Sequence, residues 1–78
     1  MTDRTEKTYN KLEDLDIQAR DIQELTHALF YNGVNTDTEA QTRKTMQELK
    51  ELENLLIKAR NLACKIAEEN DINPEDYI

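Results

Sequence analysis

An apolar stripe at helical spacing runs through this chain twice, once on each side of its only glycine, Gly33. The first run is Thr8, Leu12, Leu15, Ala19, Ile22, Thr26 and Leu29; the second is Thr45, Leu49, Leu52, Leu56, Ala59, Ala63 and Ile66. Both alternate steps of four and three, the spacing that keeps side chains on one seam of a helix packed against other helices. A strand, whose faces alternate every residue, cannot keep such a row on one side. The fold class expected is therefore all-α: an antiparallel two-helix hairpin that dimerises into a four-helix bundle.

The boundaries follow from local signals. Helix 1 is expected over about 3–31, with Thr2 or Thr5 as its cap, and Asn32-Gly33 closes it because glycine tolerates the left-handed conformation. A turn over 32–35 leads to helix 2 over about 36–70. Thr36 and Glu39 are spaced as a capping box, and Asp37 and Glu39 fall in the first turn, where the helix end is positive. Asn73-Pro74 reads as the start of one more turn, and 72–78 as an acidic tail set apart from the hairpin domain of 1–71. Asp3 with Lys7, Asp16 with Arg20, and Glu39 with Arg43 are spaced as i, i+4 ion pairs, each contributing about 0.2–0.5 kcal/mol.

Folding about the turn pairs the seams: Ile22 with Leu49, Ala19 with Leu52, Leu15 with Leu56, Leu12 with Ala59, and Thr8 with Ala63. Thr26 faces Thr45 in a more polar layer near the turn. Large often meets small, the condition for interdigitated layers. Helix 2 carries further apolar residues beside its seam, with Leu55 and Leu62 on one side and Met46, Ile57, Cys64 and Ala67 on the other. One partner helix cannot cover all of them. A core of 78 residues rarely supplies more than about 3–5 kcal/mol, so small folds lean on disulfides, metals or self-association. Cys64 is the only cysteine and cannot bridge internally, and no Cys/His cluster suggests structural zinc. Self-association is left, hence the homodimer, with coverage by a different protein as the alternative.

A net charge of −7 disfavours nucleic acid and anionic membranes, whose binding needs basic patches. It permits a basic partner, or mimicry of a phosphate backbone. Arg4, Lys7 and Lys11 share a helix face, but acidic neighbours dilute it. No apolar run approaches the roughly 20 residues of a membrane span, and no leader-like segment is visible. With a free thiol, these features set the expected location as cytoplasmic.

Glu24-Leu25-Thr26-His27 has the Glu-x-x-His spacing of di-iron bundles, but Thr26 lies on the seam, so Glu24 and His27 fall outside it and no metal or other cofactor is expected. Glu13, Asp14 and Asp16 form an acidic stretch on the outer face of helix 1, with Asp21 and Glu24 beyond it; Glu68, Glu69, Asp71, Glu75 and Asp76 form another near the end. Both suit solubility, or attraction of a basic partner. Phe30 and Tyr31, beside Val34, either plug the end of the bundle, the expectation here, or form a partner patch, since aromatic residues concentrate binding energy. Arg20, Arg43 and Arg60 lack the clustered glycines of a phosphate loop. Surface ion pairs account for the first two, and an anion held between protomers is the alternative role. Cys64 has no histidine or carboxylate partner and is expected to be structural. Ile72, Tyr77 and Ile78 make the tail apolar as well as acidic.

These readings exclude an enzyme, because no convergent polar pocket is in prospect. They point to a small acidic interaction protein, an adaptor, inhibitor or co-chaperone acting through a helix face or the hairpin tip on a host or cognate protein. A phage-encoded inhibitor of host defence fits this class. The alternative is an oligomeric bundle that sequesters a small anion, such as a nucleotide, between protomers. In length and layout the chain resembles the plasmid-copy-control hairpins of the Rop type and the small hairpin co-chaperones of type III secretion. That likeness implies a helical hairpin and carries no functional residue across.

Overall fold

The computed structural model describes residues 3–72, with side chains from Thr5 onward. It contains two α-helices and, among the described residues, no strand: α1 is Asp3–Asn32 and α2 is Glu39–Glu69. The all-helical class read from the seams is the one observed. The chain divides into two compact units, parted between Val34 and Asn35. The alternative cap at Thr2, the Asp3–Lys7 pair, the basic contribution of Arg4, and the tail features from Asn73 to Ile78 fall on positions or side chains outside the described residues.

In the first unit, α1 ends as Asn32-Gly33 predicts. The Gly33 amide donates to the Leu29 carbonyl at 2.9 Å, and Gly33 takes φ +77. This is the single-bond left-handed cap. A Cβ on Gly33 would meet nothing within 4 Å, so any penalty for a side chain there is conformational and not steric contact with neighbours.

In the second unit, α2 opens later than the Thr36 capping box requires. Its cap is Thr38, whose hydroxyl accepts from the Gln41 amide at 3.0 Å. Thr38 and Gln41 have the same Thr-x-x-Gln spacing as a capping box, so two overlapping candidates compete for one helix start. The segment before the helix decides between them. Asn35 Oδ1 accepts from the Asp37 amide at 3.0 Å, a side-chain turn that keeps this stretch out of the helix. The Thr36 and Asn35 carbonyls then accept from the hydroxyls of Thr42 and Thr45, both at 3.4 Å. Thr36 therefore contributes its backbone carbonyl, not its side chain. Thr38→Ala should cost about 1 kcal/mol in chemical denaturation and Thr36→Ala only a few tenths; equal losses would mean that Thr36 is the cap after all.

At its far end α2 closes in a Schellman motif. Asp71 at φ +55 stands in the left-handed position, with its amide on the Glu68 carbonyl at 3.2 Å and the Ile72 amide on the Ala67 carbonyl at 2.8 Å. The Asn70 side chain adds a bond to the Ile66 carbonyl at 2.8 Å. Left-handed geometry costs an ordinary residue about 1–2 kcal/mol, somewhat less for Asp, and Gly33 escapes that cost where Asp71 does not. Asp71→Gly should accordingly raise stability by about 0.5–1 kcal/mol and Gly33→Ala lower it by about 1 kcal/mol, read from denaturation midpoints.

Among the described residues, no side chain of either helix is buried. Taken by itself, each helix leaves its seam uncovered: Leu12, Leu15, Ile22 and Leu29 on α1 are exposed, as are Leu56 and Ile66 on α2, while Leu49 and Leu52 are half-buried. The small seam residues Ala19, Ala59 and Ala63 are exposed too.

Candidate functional site: the uncovered faces of the two helices

The seam threonines show how a polar residue sits in an apolar row. Thr26 donates its hydroxyl back to the Ile22 and Gln23 carbonyls at 2.9 and 3.0 Å. Thr45 donates to the Asn35 carbonyl. Each hydroxyl is satisfied within its own unit, which leaves the methyl group free to pack without an unpaired donor. The seams are thus more apolar than their composition suggests.

A largely apolar hollow lies along α2. It measures about 290 Å³ and is lined by Leu49, Leu52, Glu53, Leu56, Ile57 and Arg60. Three seam leucines line it, together with a carboxylate and a guanidinium. Beside it the flank residues Met46, Leu55 and Leu62 are exposed, Leu55 and Leu62 each by nearly 60%. Cys64 is an exposed free thiol. α1 carries a second hollow lined by Thr5, Thr8, Tyr9 and Leu12. It also exposes Tyr9, Ile17 and Leu25, apolar residues that lie off the Thr8–Leu29 row and that its four-three spacing therefore does not mark.

Within its own unit Phe30 is 80% exposed and Tyr31 70%, uncovered like the seam residues. They are still organised: Phe30 meets Tyr31 edge to face with centroids 5.2 Å apart, and the Tyr31 ring lies 4.4 Å from the His27 ring. Spacing explains the second contact, because residues four apart share a helix face. His27 therefore has an aromatic neighbour, and no group of three or more His, Cys, Asp or Glu side chains converges among the described residues.

The charged residues separate into paired and unpaired. Arg20 bonds Asp16 at 2.8 Å and Arg43 bonds Glu39 at 3.2 Å, both exposed pairs of the predicted i, i+4 kind. Such pairs contribute little to stability. Asp16 is thereby partly neutralised, which leaves Glu13 and Asp14 as the stronger part of the acidic stretch on α1. Glu53 and Arg60 take part in neither ion pair. Among the described residues, no helix is long and apolar enough to cross a membrane. No protein-family model, no curated protein and no solved structure matches the chain.

Proposed function

We propose that this protein acts by protein–protein contact and not by catalysis. In this reading the chain closes as an antiparallel hairpin, pairs with a second copy into a four-helix bundle, and offers an outer surface to a host or cognate protein as an adaptor, inhibitor or co-chaperone. The observation that carries it is the uncovered apolar seam on each helix. Isolated helices are only marginally stable in water, and most helix stability in proteins comes from burying an apolar face. A chain with two such faces has a strong reason to associate. The acidic balance of −7 and the exposed Phe30–Tyr31 pair support a role for the outer surface in attracting and anchoring a partner.

Native mass spectrometry of the protein drawn gently from its own host tests this. A dimer of the 9.1 kDa chain, alone or carrying a larger protein, is the expected result. An added mass of a few hundred daltons would favour the sequestering bundle instead. A bare monomer at every concentration would overturn the proposal.

A further inference from the structure

α2 offers a second copy a face on which size and charge agree on one alignment. Leu49, Leu56 and Ala63 take position a of the seven-residue repeat, and Leu52, Ala59 and Ile66 take d. Leu55 and Leu62 are then at g, while Met46, Glu53, Arg60 and Ala67 are at e. In an antiparallel pair an a residue lies opposite a d residue, and e positions flank e positions. Setting Leu56 opposite Ala59 of the second copy also sets Leu52 opposite Ala63 and Leu49 opposite Ile66. Leucine meets alanine in the four central layers, so the helices approach closely and leave no void. The twofold axis passes between Ile57 and Lys58.

The same alignment places Glu53 beside Arg60 of the second copy, and by symmetry does so twice. Both residues line the apolar hollow on α2, and neither has an ion-pair partner among the described residues of its own chain. Met46 comes beside Ala67 of the second copy on the same flank. Competing arrangements lose both forms of agreement. Sliding by one heptad brings Glu53 against Glu53, or Arg60 against Arg60, across the axis. A parallel pair stacks Ala59 on Ala59 and Ala63 on Ala63, which leaves holes, and sets Glu48 beside Glu53. Like charges at these positions oppose association.

We propose that the occupant of this face is α2 of a second copy, antiparallel, in the register that joins Glu53 to Arg60 across the twofold axis. This rests on the reading above that the protein self-associates. In the proposed four-helix bundle α1 of the same chain would approach this row from the Leu55 and Leu62 side, while the second copy's α2 approaches from the Glu53 and Arg60 side.

Charge reversal tests the register. In Glu53→Arg every facing pair becomes Arg–Arg, and in Arg60→Glu every one becomes Glu–Glu. Each variant alone should dimerise roughly tenfold more weakly than the unaltered chain by sedimentation equilibrium. The double variant Glu53→Arg/Arg60→Glu should recover. An equimolar mixture of the two single variants should form mainly the mixed dimer, because both of its facing pairs are then opposite in charge. Circular dichroism keeps folding in view, since both positions are exposed on α2. If the unaltered chain dimerises but the single variants match it and mix statistically, the register is wrong and self-association stands. If the unaltered chain is monomeric, both proposals fall.

Discussion

Leu52→Asp and Leu56→Asp should each abolish dimerisation and most of the helical signal together. Both leucines lie on the α2 seam and line its apolar hollow. An aspartate there must either go into the interface unpaired or hold the interface open. An unpaired buried charge costs several kcal/mol. A core of this size supplies only about 3–5 kcal/mol in all, so one such substitution exhausts it. Asn54→Asp is the control. It adds the same charge two residues from Leu52 or Leu56, on a face lined by Gln47, Lys50 and Glu51, and should change the denaturation midpoint very little. Circular dichroism with sedimentation separates the outcomes. A folded dimer in Leu52→Asp would put the association surface elsewhere on the helices.

The double substitution Phe30→Ser/Tyr31→Ser should behave in the opposite way. Both rings are exposed and touch mainly each other and His27. Removing them takes away little packing, so the helices and the dimer should persist with a shift below about 1 kcal/mol. Binding to the partner should fall by about thirtyfold or more, the effect of losing an aromatic anchor of roughly 2 kcal/mol. The measurement is affinity for the captured partner, beside a thermal melt of the same sample. A marked loss of thermal stability with affinity intact would make the rings part of the bundle core. Unchanged affinity would move the partner surface away from them, with the acidic stretch at Glu13 and Asp14 as the next candidate.

Much of the architecture was legible because it depends on neighbours in the chain. The stripes announced two helices, since only a helix keeps residues four and three apart on one side. Gly33 marked the end of α1, because the left-handed turn there suits glycine. The pairs Asp16–Arg20 and Glu39–Arg43 followed from one helical turn of separation. What misled was competition between equivalent local signals. Thr36 and Thr38 each stand three residues before a residue able to complete a capping box. The choice fell to Thr38 through bonds from Asn35, Thr42 and Thr45 that no capping rule weighs.

The candidate surface was legible in its residues but not in its state. The leucines of α2 and their flank of Met46, Leu55, Ile57, Leu62 and Cys64 can be read from periodicity alone. Whether Phe30 and Tyr31 belong to a core or to a contact patch cannot, because an aromatic at a helix end suits both equally well. The Glu53 and Arg60 pair escaped for a related reason. They are seven residues apart on one helix, too far to bond each other, and become a pair only when a second helix is set antiparallel against the first.

By itself, then, the sequence determined the helical class, the seam of each helix and the glycine that closes α1, all set by interactions within a few residues along the chain. The structure alone decided the cap at Thr38, the left-handed Asp71 at the end of α2, and the return of the Thr26 and Thr45 hydroxyls to backbone carbonyls. Each is a choice between local alternatives of nearly equal energy, and such choices are settled by where the surrounding atoms lie and not by residue type.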